Sequence, residues 1–135
     1  MEQVLDGRKA AKSVITRMNI SVVFWIIIAA CQILGGIPLL IFGYGVSMIL
    51  CGGWNIYATV SRIKTIKAFK EQPQLIYPYY ESSLNNILIF LIINVIFGGV
   101  IGVFASLYDL LLRHYVIKHG EELTIGLAGD SYGQL

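Results

Sequence analysis

The chain has 135 residues, of which 56% are apolar and only 13% charged, and its formal net charge is +2. A soluble domain carries roughly a quarter charged residues, so this composition excludes a water-soluble fold and predicts an all-α integral membrane protein. The small net charge, with the basic residues beside apolar runs, also argues against nucleic-acid binding.

Two long segments, residues 18–61 and 82–108, contain no Asp, Glu, Lys or Arg. About 20 helical residues cross the hydrocarbon core, so the first segment is too long for one span and must fold back. Glycine and proline interrupt helices, and they occur here at 35–38 and 43–45. We therefore predict a first transmembrane hairpin over residues 19–60.

The second segment allows two interpretations of residues 85–118: a second hairpin that turns at Gly98–Gly99, or one long helix. Lys and Arg prefer the cytoplasmic side of a membrane. Four spans put all ten basic residues on that side, whereas three spans plus an amphipathic C-terminal helix would leave Arg113 and Lys118 outside. We therefore predict four short spans in two hairpins, with both termini cytoplasmic, in a plasma (inner) membrane.

The segments outside the predicted spans differ in character. Residues 1–18 place apolar side chains at helical spacing among four basic residues, which predicts an amphipathic helix on the membrane surface. Residues 61–84 are predicted to form a basic and aromatic cytoplasmic loop, in which tyrosines lie at the membrane boundary. Residues 119–135 lack sustained periodicity, so we expect a flexible tail there.

Polar residues inside the predicted spans are the best candidates for a functional site. On the second span, small or polar residues recur every four positions from Ser47 to Thr59, which puts them on one helix face. Such groups form contacts between membrane helices, or alternatively line a path for a solute. The candidates for these two roles are Gln32, Ser47, Cys51, Asn55, Thr59, Asn94, Gly98 and Gly102.

Charged residues near the spans indicate structure rather than chemistry. Asp109 and Arg113 are four residues apart, so we predict an ion pair at the inner interface. The sequence contains no enzyme signature, no Cys or His spacing typical of a metal site and no cofactor motif. Helix rise puts Cys31 and Cys51 too far apart in a hairpin for a disulfide.

These observations lead to a functional hypothesis. We expect a non-enzymatic assembly or accessory subunit that acts through helix–helix association. The alternative is a homo-oligomeric pore or small-solute transporter, since short hairpins build a path only by assembling. The expected partners are the lipid bilayer and either further copies of the chain or another membrane protein.

Overall fold

The computed structural model describes residues 2–132, with the side chains of Glu2 and of residues 6–127. Every regular element in this part of the chain is helical, which confirms the all-α class. The elements are α1 (Glu2–Gly36), a 3₁₀ turn (Pro38–Phe42), α2 (Tyr44–Glu71), a 3₁₀ turn (Pro73–Leu75), α3 (Ile76–Glu81), α4 (Leu84–Phe97), α5 (Ile101–Lys118) and α6 (Gly120–Tyr132).

Helix α1 is continuous for 35 residues. It contains no proline, and Gly7 is the one glycine before its C-terminal pair, so nothing in its backbone favours a break after residue 18. The structure therefore differs from the predicted separate surface helix. Val14 and Met18, on the apolar face of this segment, are buried inside the protein.

Two glycines with positive φ form the turns between the long helices. Gly43 (φ 74°) follows the first 3₁₀ turn and Gly99 (φ 73°) lies between α4 and α5. Residues with a Cβ rarely adopt this conformation. The Gly- and Pro-rich sites identified in the sequence therefore end the helices, and α2 ends at Glu71, just before Pro73.

Helices α1 and α2 pack side by side in opposite directions. Near the first turn Gly36 of α1 lies against Ile49 of α2. Farther from the turn, Ala29 of α1 lies against Gly52 of α2. The close approach of the two backbones depends on these glycines, since a Cβ at Gly52 would lie 3.0 Å from the carbonyl oxygen of Ala29.

Helices α4 and α5 also run in opposite directions. The Asn94 side chain lies against Gly102, although residues eight apart would be separated by about 12 Å in a continuous helix. Gln32, near the end of α1, donates a hydrogen bond to the carbonyl of Gly98. Both turns therefore lie at one end of the bundle, and the charged segments lie at the other.

The main hydrophobic core lies at the charged end. There α1 and α6 pack together with α3, the end of α2 and the end of α5. Leu123 and Leu127 of α6 are buried in this core, which explains why residues 120–132 form a helix where we expected a flexible tail. The predicted loop at 61–84 is also largely helical, and Tyr80 packs into the same core.

Away from this core, much of the surface of the helix bundle is apolar. Large apolar side chains that are mostly exposed include Leu34, Ile41, Leu50 and Phe104. Among the described residues, one helix, Asp6–Gly36, is long and apolar enough to cross a membrane. The segments Pro73–Glu81 and Leu84–Phe97, bent by 64°, give a second if they are counted as one span.

Candidate functional site

Three amide side chains from three helices meet inside the bundle. Gln32 belongs to α1, Asn55 to α2 and Asn94 to α4, and each is 0% exposed. The thiol of Cys51 and the carbonyl of Gly98 border them. We call these five groups the amide cluster.

Each amide N–H in this cluster has an acceptor. Gln32 donates to Asn94 Oδ1 and to the Gly98 carbonyl, both at 3.0 Å. Asn55 donates to Gln32 Oε1 at 2.7 Å and to Asn94 Oδ1 at 2.8 Å. Asn94 donates to Asn55 Oδ1 at 3.3 Å and to the carbonyl of Phe90 at 2.9 Å. Since a primary amide has two N–H donors, the donors of the cluster are fully used within the chain.

Two glycines make room for Asn94 and its partners. A Cβ at Gly98 would collide with the Gln32 amide and would lie 2.7 Å from Cys51 Sγ. A Cβ at Gly102 would collide with Asn94. The glycines that the sequence suggested as a helix-pairing face therefore form contacts within one chain.

The ends of the predicted polar stripe on α2 lie outside the amide cluster. Ser47 is partly buried and donates to the carbonyl of Tyr44 at 2.7 Å. Thr59 is buried and donates to the carbonyl of Asn55 at 2.7 Å. Both hydroxyls thus bond to their own helix. Cys51 and Asn55, which lie between Ser47 and Thr59 in the stripe, form hydrogen bonds to other helices.

A second polar cluster joins α1, α2 and α5 at the charged end. Its α1 residue Ser21 lies about 16 Å along that helix from Gln32 of the amide cluster. The Arg62 guanidinium forms an ion pair with Asp109 Oδ2 at 3.0 Å, and the two side chains are 19% and 8% exposed. Asp109 also accepts hydrogen bonds from Ser21 Oγ at 2.5 Å and from Trp25 Nε1 at 2.9 Å. Arg62 in turn donates to Ser21 Oγ at 3.0 Å. We call these four residues the charged cluster.

The charged cluster corrects the predicted ion pair between Asp109 and Arg113. The partner of Asp109 is Arg62, whereas Arg113 donates to the carbonyls of Tyr80 and Glu81 at 3.0 and 3.3 Å. A spacing of four residues permits an ion pair on an exposed helix face. Here α2 and α5 both pack on α1, which brings Arg62 to the buried carboxylate, and Arg113 instead binds the C-terminal end of α3.

A cleft of about 240 Å³ opens between α2 and the α3–α4 segment. The charged pair Arg62–Asp109 forms part of its wall. Burial raises the pKa of the Tyr80 phenol, and the Asp109 carboxylate raises it further, so Tyr80 contributes a neutral hydroxyl. The other aromatic and polar side chains of the wall include Trp54, Tyr57, Ser61, Tyr79, Ser83 and Asn86.

Cys31 is an exposed free thiol and Cys51 a buried one. No three His, Cys, Asp or Glu side chains among the described residues are placed to hold a metal ion.

Sequence reasoning found most of the amide cluster and missed the charged cluster and the cleft. Strong hydrogen-bonding side chains in apolar segments rarely face lipid unpaired, and this rule identified Gln32, Asn55 and Asn94. Arg62 begins the run of cations in the segment 61–84, and such a run by itself favours a basic cytoplasmic loop. Its position directly after an apolar segment was the one available signal, since a cation close to hydrocarbon either extends to water or pairs with another polar group.

We find no match for the chain among protein-family models, curated proteins or solved structures.

Proposed function

We propose that the protein crosses a plasma (inner) membrane four times in two hairpins and acts, without enzymatic activity, as an assembly or accessory subunit. Its helices would associate with another membrane protein or with further copies of the chain. The observation that carries this proposal is the inverted distribution of polarity. Ile41 and Leu50 are 88% and 68% exposed, whereas Gln32, Asn55 and Asn94 are fully buried.

Burial of the amides supports more spans than hydropathy alone indicates. Asn55 and Asn94 lower the mean hydropathy of α2 and α4, but neither side chain reaches the outer surface. Monomeric soluble proteins rarely expose contiguous apolar patches larger than a few hundred Å². The exposed apolar side chains of α1, α2, α4 and α5 suit contact with lipid or with other apolar helices.

The position of the charges supports the orientation. The turns at 37–43 and 98–100 contain no charged residue, and the basic residues lie toward the opposite end of the bundle. Under the preference of Lys and Arg for the cytoplasmic side, both termini are cytoplasmic. Helix α4 has only 14 residues, about 21 Å of helix, so the bilayer would thin around the second hairpin or the hairpin would end within it.

The closed amide cluster favours an accessory role over a path through a single chain. A solute path needs donors or acceptors that can exchange partners with the solute. The N–H groups of Gln32, Asn55 and Asn94 are instead used among themselves and on two backbone carbonyls. The outward helix faces are then the surfaces left for association.

The mass and composition of the native complex test this proposal. The tagged full chain would be purified from its native membrane in mild detergent, and the complex weighed and its subunits identified. A stoichiometric second protein, or a discrete homo-oligomer that conducts no ions in vesicles, supports the accessory role. A closed ring of this chain that conducts ions would overturn it in favour of the pore, and a monodisperse monomer would overturn both.

Reporter fusions test the membrane crossing separately. Fusions after residue 120 are expected to report a cytoplasmic location, and fusions in the turn after Phe42 an external one. An external location for residue 120 would refute the four-span topology, and release of the chain from membranes by alkaline carbonate would refute membrane integration itself.

A further inference from the structure

The cleft between α2 and the α3–α4 segment has no role in the proposed function, although charged, aromatic and polar side chains line it. Its wall includes the partly buried guanidinium of Arg62 and the buried carboxylate of Asp109. Its volume of about 240 Å³ lies below the roughly 300–1,000 Å³ of pockets that enclose drug-sized ligands. The space therefore fits a small polar group whose remainder lies outside the cleft.

The cleft lies at the height where lipid headgroups are expected in the four-span topology. Arg62 is the first charged residue after the apolar segment 18–61. Trp54, Tyr57 and Tyr79 also line the cleft, and Trp and Tyr are enriched at the boundary between hydrocarbon and water. The exposed side chains of Leu50 and Ile89, on the helices that flank the cleft, provide apolar surface for acyl chains.

The charges of the cleft favour a ligand that carries both signs. Asp109 already balances the charge of Arg62, so a ligand with net negative charge would gain little overall attraction. Arg62 nevertheless has five N–H donors, and its contacts to Asp109 and Ser21 leave donors for a phosphate oxygen.

The aromatic wall provides the complementary half of the site. Trp and Tyr rings attract cations to their faces, and Ser83 and Asn86 add oxygen acceptors for N–H donors. We propose that this cleft binds the headgroup of a zwitterionic phospholipid with a primary amine, an ethanolamine phospholipid. The phosphate accepts hydrogen bonds from Arg62 and the ammonium lies between the rings and the polar side chains. This inference rests on the proposed membrane location.

Native mass spectrometry of the delipidated full chain in micelles tests the proposal. The probes are short-chain ethanolamine, choline and glycerol phospholipids, titrated separately. We expect the ethanolamine lipid to bind at least about tenfold more tightly than the other two, since each lost charge-assisted hydrogen bond weakens binding by that order. Equal binding of all three, or tighter binding of the anionic glycerol lipid, would overturn the proposal.

Two variants localise the binding and guard against misfolding. Arg62→Gln replaces the charged phosphate donor by a shorter, neutral amide and is expected to weaken ethanolamine-lipid binding, but it also breaks the ion pair with Asp109. Ser61→Trp keeps that pair and fills the cleft, so it is expected to abolish ethanolamine selectivity with an unchanged melting temperature. Val60→Trp, on the exposed side of α2, is the matched control and is expected to bind as the wild type does.

The outcomes separate this proposal from the membrane proposal on which it rests. If the chain stays in membranes after alkaline carbonate but Ser61→Trp retains selectivity, the cleft is not the lipid site. If the chain is released by carbonate and binds none of the three lipids, the membrane location has failed first.

Discussion

Replacing Asn94 by leucine tests whether the amide cluster holds the bundle together. The two side chains are similar in size, so the substitution chiefly removes hydrogen bonds. Asn94 takes part in three amide hydrogen bonds to other helices, one from Gln32, one from Asn55 and one to Asn55, and it accepts a weaker one from the Cys51 thiol at 3.6 Å. All of them join α4 to the pair formed by α1 and α2.

The expected loss of stability follows from the number of these bonds. Hydrogen bonds between membrane helices contribute about 0.6 kcal/mol each on average and up to about 1.7, so three contribute about 2 kcal/mol. The substitution also leaves one N–H of Gln32 and one of Asn55 without the Asn94 acceptor in a buried site, which adds to the loss. We expect Asn94→Leu to lower the free energy of unfolding by about 2–3 kcal/mol.

Reversible unfolding in mixed micelles, followed by circular dichroism, measures this quantity. Asn85→Leu is the matched control, because Asn85 lies on the same helix and is exposed, and its effect is expected to stay within about 0.5 kcal/mol. The double variant Gln32→Leu/Asn94→Leu is expected to lose less than the sum of its single variants, since the two residues share a bond. A loss below about 0.5 kcal/mol for Asn94→Leu, or strict additivity, would refute the reasoning.

Further variants probe three other contacts. Gly52→Ala brings a Cβ to 3.0 Å from a carbonyl of α1 and is expected to lower unfolding free energy by about 1–3 kcal/mol. Gly53→Ala meets open space and is expected to be neutral or to gain up to about 1 kcal/mol from helix propensity; equal effects would contradict the α1–α2 packing. Asp109→Leu strands Arg62 and is expected to cost about 3–5 kcal/mol, most of it regained by adding Arg62→Met; a double variant as unstable as the single one would argue against the ion pair. Gly7→Ala places a Cβ 2.6 Å from a backbone carbonyl of α6 and is expected to speed amide hydrogen exchange across α6 alone, so unchanged exchange there would argue against its docking on α1.

Local properties of the backbone and of side-chain polarity made much of this protein predictable. The helical class follows from long apolar segments without charge, and the turn sites follow from Gly and Pro, whose effect on φ needs no partner. The burial of Gln32, Asn55 and Asn94 was predictable because an unpaired amide is costly in an apolar medium.

Only the tertiary structure determined which of these groups meet. The pairing of Arg62 with Asp109 depends on the packing of both α2 and α5 on α1, and residues distant in sequence leave no periodic signal for such a contact. The docking of α6 depends on a core assembled from five helices, so its sequence alone resembled a flexible tail. The cleft is lined by side chains of α1, α2, α3, α4 and α5, so it exists only once these helices pack together and no single segment of the sequence indicates it.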